Sequence, residues 1–261
     1  IAVYAMSYCT EVSQIIIPNS VKIINDFAFF GMGKMSSVVL GEGVEEIGTQ
    51  AFSYCQKLTD VKLGGWDFAK REMTDSSLKS IGKYAFYNCP LLTEIDIPED
   101  VEFIGAWAFR KTGIYENAGK DKGVVYAGNW VVDWNDKSIA LAGGEINIKD
   151  DTVGIAEYAF YKCLYVSNVE IPDSVQYINR SAFYQTSYIL SVTLPAELKR
   201  IEEFTFYGCF QLLSVGYMKD SETGGDPVRV EGFPETLELI GRSSFYECSL
   251  LGCTVDETGY G

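Results

Sequence analysis

Histidine does not occur among the 261 residues. Its absence removes the commonest general base, the commonest metal ligand and every Ser–His or Cys–His nucleophilic pair. Cations are scarce as well: 21 Lys and Arg against 36 Asp and Glu leave a formal charge of −15. Such a surface offers little to a nucleic acid or an anionic membrane, so neither is expected as a partner. No apolar run approaches the ~20 residues that cross a bilayer, so the chain has no membrane span of its own. Glycines cluster at Gly31-Met32-Gly33 and Gly41-Glu42-Gly43, but without the spacing of a phosphate loop, and turn corners account for them. No cofactor motif is present, and none is expected to bind. Carboxylates are plentiful enough for a glycosidase pair, yet they fall where charge is the ordinary surface choice. The chain therefore reads as a non-enzyme.

What is present is a period. A small residue followed by an aromatic or Met recurs at Ala5, Ala28, Ala51, Ala85, Ala108, Ala159, Ala182, Thr205 and Ser244. The successive gaps are 23, 23, 34, 23, 51, 23, 23 and 39 residues, the longer ones being 23 with insertions of 11, 28 and 16. A fixed period of this size marks a solenoid whose coils bury their apolar sides against one another. We number the coils one to nine by these residues and call each small residue position 0. At −4 stand Ile24, Ile47, Ile81, Ile104, Ile155, Ile178, Ile201 and Ile240, and at +1 stand eight of the chain's fifteen Phe, predicting an internal ladder of stacked rings. At +10 and +12 come pairs such as Ile15/Ile17, Val38/Leu40, Val61/Leu63, Ile95/Ile97 and Val169/Ile171, whose period-two alternation reads as a short strand. Pro18, Pro98, Pro172 and Pro195 follow directly and end it. The stretch from Val44 to Phe52 fits a tight helical turn or a bent extended run equally well.

The columns from Ile171-Pro172-Asp173-Ser174-Val175 through Ile178, Ala182-Phe183 and Val192, and again from Val44 through Cys55 to Leu58, resemble the BspA-like leucine-rich repeats of bacterial surface proteins. The likeness covers nearly the whole chain apart from the insertions. The expected fold is accordingly an α/β-type leucine-rich repeat solenoid, right-handed, mainly short parallel strands and turns. A single domain over 1–261 of about nine coils is expected, with insertions near 64–75, 116–144 and 218–232. The largest insertion holds Val124-Val125-Tyr126 and Trp130-Val131-Val132 about Gly128-Asn129, a β-hairpin signal, and reads as an excursion from the array. The third is rich in Gly and Asp and reads as mobile.

Six of seven cysteines, Cys9, Cys55, Cys89, Cys163, Cys209 and Cys248, share position +4, which the other coils fill with Met32, Thr112 and Thr186. Met and Thr are poor thiolate ligands, so buried reduced thiols are expected rather than a metal site or disulfides. A Cys248–Cys253 link is the one other pairing the spacing allows.

Two surfaces carry functional signal. The outward strand positions gather Asp60, Glu94, Asp96, Glu145 and Glu170 with Lys62 as the lone cation, a face suited to a basic protein partner. Aromatic residues fill −1 and +2, among them Tyr84, Trp107, Tyr161, Tyr184 and Tyr207, either covering the core's outer edge or free to stack on sugars. Trp66, Trp130 and Trp134 in the insertions are candidate ligand contacts, Trp130 and Trp134 on one side of the hairpin. From the resemblance comes the expectation of an extracellular or surface-attached binding module, adhering to host, matrix or microbial proteins. Because Ile1 falls inside a coil, a signal segment is expected to have been removed. A glycan-binding module using exposed Trp and Tyr is the alternative, and a plain spacer a third.

Overall fold

A computed structural model describes residues 1–67, 72–73, 75–118, 123–135, 146–219 and 227–252, with the side chains of residues 66, 67, 72 and 73 left aside. The coils group into two compact units, the first formed by 1–121 with 125–135 and the second by 122–124 with 136–261.

In the first unit β1 (Gln14–Ile16), β3 (Ser37–Val39) and β5 (Asp60–Lys62) form one parallel sheet. A second holds β2 (Ile23–Ile24), β4 (Glu46–Ile47), β8 (Ser80–Ile81) and β9 (Phe103–Ile104). The insertion after coil three contributes the antiparallel pair β6 (Trp66–Asp67) and β7 (Glu72–Met73). The largest insertion contributes α1 (Gly113–Glu116), β10 (Val124–Ala127) and β11 (Trp130–Trp134). In the second unit β12 (Ile146–Asn147), β14 (Asn168–Glu170), β16 (Ser191–Leu194) and β18 (Ser214–Lys219) lie parallel, and β19 (Val228–Glu231) closes that sheet antiparallel. Two shorter parallel pairs join β13 (Gly154–Ile155) to β15 (Tyr177–Ile178) and β17 (Arg200–Ile201) to β20 (Leu239–Ile240).

The sequence period is the strand register. Ser37 pairs Gln14 and Asp60, and Ser191 pairs Asn168 and Ser214, each 23 residues away. Where a gap lengthens, the register lengthens with it: Glu46 pairs Ser80 and Arg200 pairs Leu239, offsets of 34 and 39. The insertions thus loop out without disturbing the stack. The repeat is a parallel-strand β-solenoid of about eight turns. Helix is nearly absent, α1 being the one α-helix among the described residues, so the α/β expectation overstates it.

The segment from −3 to +4 is neither of the two forms expected for it. It begins with a two-residue strand such as β4 and continues as overlapping tight turns. Residues at 0, +2 and +4 donate backward three positions, as in Ala28 to Asn25, Phe30 to Phe27 and Cys209 to Phe206. Residues at −1, +1 and +3 donate instead to carbonyls at −2, 0 and +2 of the following coil. Examples are Tyr84 to Ala106, Phe86 to Ala108 and Asn88 to Arg110, at 2.8–3.0 Å. This alternation requires left-handed backbone at −1 and +3. All sixteen described non-glycine residues with positive φ occupy those two columns, among them Phe27, Gln50, Tyr84, Trp107, Lys111 and Lys162. Each non-glycine residue there costs about 1–2 kcal/mol, a strain the axial hydrogen bonds hold in place. Glycine is needed at −3 for a different reason. A Cβ on Gly82 would lie 2.6 Å from the Gly48 carbonyl carbon, because coil corners pack backbone on backbone.

Between these layers runs the Phe ladder. Phe29, Phe52, Phe86 and Phe109 stack at 5.1, 5.3 and 5.4 Å in the first unit, with rings within 9° of parallel. Phe160, Phe183, Phe206 and Phe245 stack at 5.0, 5.2 and 5.2 Å in the second. Phe183 is fully buried between two rings, so Phe183→Ala should lower unfolding free energy by about 3–5 kcal/mol in urea titration. Gln50 tests the left-handed column with the opposite sign. Gln50→Gly removes the φ strain at about 1–2 kcal/mol while adding unfolded-chain entropy worth about 0.4–1 kcal/mol, so it should raise stability by roughly 1 kcal/mol.

Candidate functional site

Buried thiols serve the stack rather than any chemistry. Cys55, Cys89 and Cys209 are buried and free, and each Sγ donates to the carbonyl of the +1 Phe one coil earlier, Phe29, Phe52 and Phe183, at 3.2–3.3 Å. Thr186 does the same to Phe160 through its hydroxyl at 2.7 Å. Burial pushes the Cys163 thiol up to about 12 and that of Cys248 to about 11, so both stay protonated at neutral pH. Thr112 breaks the cysteine column for a local reason: its side chain accepts from the Tyr115 amide and caps α1. Cys253 lies outside the described residues. Among the described residues no cluster of acidic or cysteine ligands could hold a metal ion, and no helix is long and apolar enough to cross a membrane.

The outward strand face divides between the units. In the first, Asp60, Glu94 and Asp96 are exposed, and Lys62 Nζ lies 3.4 Å from Asp60 Oδ1. Ile95 and Ile97 are buried as expected, but no strand forms over them. The hairpin turn occupies the place beside them: a Cβ on Gly128 would lie 3.1 Å from the Ile97 nitrogen and 3.3 Å from the Ile95 oxygen. In the second unit Glu170 is exposed at the end of β14. There it lines an open groove of about 660 Å³ with Asp173, Glu197 and Glu235, over a floor of Tyr217 and Met218. Lys219 enters the same groove and pairs with Glu235 at 3.1 Å. Glu145 and the side chain of Trp66 lie outside what the structure describes.

The tryptophan expectation needs correction. Trp130 is fully buried, and so are Val131, Val132 and Asp133. Both faces of β11 are covered, so the hairpin belongs to the core and Trp130 offers no ring to a ligand. Trp134, at the strand end, is half-buried. The third insertion differs too. Its arms are the paired strands β18 and β19, and Arg229 lies across the sheet, its guanidinium reaching the Val192 carbonyl at 3.2 Å and the Ser214 hydroxyl at 3.4 Å. Gly216, expected on the outward face, is covered by that side chain.

The −1 and +2 aromatics are mostly half-buried, with their faces spent on one another. Tyr184 and Tyr207 stack at 4.7 Å, Tyr207 and Tyr246 at 5.1 Å, and Tyr84 and Trp107 at 5.4 Å. Within each stack what remains outward is ring edge and hydroxyl. Cations settle on this face: Lys83 Nζ lies 5.3 and 5.2 Å from the Tyr84 and Trp107 ring centres, Lys111 Nζ 5.2 Å from Tyr87, and Lys162 Nζ 5.2 Å from Tyr161.

One surface escaped the column reading. Positions +5, +6 and +8 are polar in the early coils, with Thr10, Glu11, Lys34, Gln56, Lys57 and Thr59. In the second unit the same positions expose Leu164 (50%), Tyr165 (47%), Tyr188 (51%), Leu190 (37%), Phe210 (43%) and Leu250 (39%). Three consecutive coils with large apolar residues at exposed positions were its sequence signal. The ridge precedes each strand of the second unit and the acidic groove follows it.

Asp133 is the one strongly perturbed carboxylate among the described residues. Burial raises its pKa to about 7 against the opposing pull of Arg110, whose Nη1 stands 3.8 Å from Oδ2. Oδ2 has no hydrogen-bond partner, while Oδ1 accepts from the Trp134 amide at 2.8 Å.

The sequence profile described as BspA type Leucine rich repeat region matches residues 1–122 and 143–226 in six copies. Among solved structures, the leucine-rich repeat protein of T. pallidum is similar at 19% identity over 97% of this chain and 84% of that one, with a TM-score of 0.36. A leucine-rich cell surface protein from Faecalibacterium prausnitzii shows 21% identity over 94% and 73%, with a TM-score of 0.42. The pneumococcal vaccine antigen PcpA shows 21% identity and a TM-score of 0.38; the match covers 88% of this chain but 58% of that protein. No curated protein matches the chain.

Because the folded pKa of Asp133 lies above its unfolded value near 3.8, the folded state holds the extra proton between the two values. Its contribution to stability therefore falls as pH rises from about 4 to 7. Asp133→Asn should raise the urea midpoint at pH 8 and leave a flatter pH profile than the parent over that window.

Proposed function

The chain belongs to the BspA-type leucine-rich repeat family, and on that footing we propose a non-catalytic binding module that acts at or outside the bacterial cell surface and recognises a protein partner. The observation that carries this reading is the exposed ridge of Leu164, Tyr165, Tyr188, Leu190, Phe210 and Leu250. Contiguous apolar surface on a soluble scaffold is costly to keep wet and marks an interaction site. Its confinement to the second unit, while the matching column of the early coils is polar, means that the fold does not require it. Tyr and Phe at such a place supply rigid contact area with little entropy to lose. The acidic groove on the other side of the strands supports a partner bearing basic residues beside its apolar patch. Adhesion to host, matrix or microbial proteins is the form of recognition that suits a long rigid array. The sugar-stacking alternative is weakened by the burial of Trp130 and by aromatic rings that cover one another's faces.

Panels of immobilised matrix proteins and glycans provide the test. A protein hit should lose roughly tenfold or more in affinity with Tyr188→Ser and Phe210→Ser combined, at unchanged thermal midpoint, while Lys57→Ala in the polar counterpart column has no effect. Binding confined to glycans, or a protein hit indifferent to the ridge changes, would overturn the reading.

A further inference from the structure

A second, chemically different surface lies in the first unit, on the turn face of coils four and five. Lys83, Tyr84 and Tyr87 come from one coil and Trp107, Arg110 and Lys111 from the next. In a chain of net charge −15 these two coils place three cations together. Lys83 and Lys111 are exposed, and among the described residues no carboxylate pairs with either. Arg110 has Asp133 3.8 Å away, but that carboxyl is buried where its charge is disfavoured. The cations are also held in place. Lys83 sits over two rings at once, Lys111 over Tyr87, and the Arg110 guanidinium over Tyr115 at 5.5 Å. Cation–π contact keeps each head near the rings and leaves its outer side open to an anion.

We propose that this patch binds an acidic saccharide, with Lys83, Lys111 and Arg110 engaging its carboxylate or sulfate and the edges and hydroxyls of Tyr84, Tyr87 and Trp107 receiving the sugar ring. A peptide carrying acidic side chains fits the place less well. Peptide recognition draws on an unpaired backbone edge or an apolar groove, and here the backbone is already spent. Tyr84, Phe86 and Asn88 donate to coil five, and the carbonyls of Lys83, Ala85 and Tyr87 accept from coil three. A saccharide brings its own hydroxyls and needs only side-chain partners. The chain's overall charge limits the ligand's size. Screening over about 8 Å at physiological salt shelters one acidic sugar at the patch, whereas a long polyanion would run against the surrounding carboxylates. The ligand is therefore a short chain ending in an acidic sugar.

Isothermal titration of the full chain with a glucuronic acid-terminated trisaccharide, its neutral glucose-terminated counterpart and a Glu-rich peptide tests this. The acidic trisaccharide should bind with affinity that falls on adding salt, drop at least fivefold with Lys83→Met or Lys111→Met, and be lost in the double variant. Tyr188→Ser with Phe210→Ser should leave it unchanged, which separates this site from the ridge. Equal binding of the neutral sugar, tighter Lys83-dependent binding of the peptide, or no heat at millimolar acidic sugar would each overturn the proposal.

Discussion

Backbone hydrogen bonding from each coil to the next along the turn face is the constraint on which the other features depend. It demands two left-handed residues per coil, and the chain meets that demand mostly with ordinary side chains rather than glycine. Those residues point outward from a strained backbone, which is why Tyr, Phe and Trp at −1 end up half-exposed and stacked on their counterparts. The small residue at 0 and the Phe at +1 follow from the same geometry. One lies under the turn where only a methyl or hydroxyl fits, and the other fills the space between turn face and strand face.

Once that frame is fixed, columns differ in how freely they vary. Position +4 must supply a small buried group that can donate to a carbonyl of the preceding coil, so Cys and Thr interchange there while thiolate chemistry is foreclosed. Positions +5 to +8 answer to no such demand. They are therefore where the protein differs from coil to coil, polar in the early coils and apolar in the late ones. Recognition is written on the columns that folding leaves unassigned.

Period, strand register and ring ladder were legible in the amino-acid order because each depends on spacing alone. The gaps of 34 and 39 residues reappear unchanged as the offsets Glu46–Ser80 and Arg200–Leu239. What spacing does not carry is what covers a residue from outside its own coil. Trp130 reads as one side of a hairpin, and only the folded chain shows both sides closed. Arg229 reads as the end of a mobile loop, whereas pairing of β19 with β18 lays it over Gly216. The left-handed columns gave no signal because Gln, Lys and Trp do not advertise positive φ as glycine does. Of the acidic face, Asp60, Glu94, Asp96 and Glu170 are exposed as expected, but the groove that Glu170 shares with Asp173, Glu197 and Glu235 depends on how turns of separate coils align.

Strand β19 has a consequence for how this sheet meets other molecules. It runs against the direction of its four neighbours and forms the sheet's last strand, reading Val228-Arg229-Val230-Glu231. A sheet ending in a parallel strand would present the same template that every coil uses, open to a stray strand from another chain. Here the rim is reversed and charged, so an incoming strand meets the wrong polarity and an ion pair between Arg229 and Glu231. The loop that looks like an interruption of the repeat thus serves as a stopper, guarding a self-similar protein against polymerising through its own regularity.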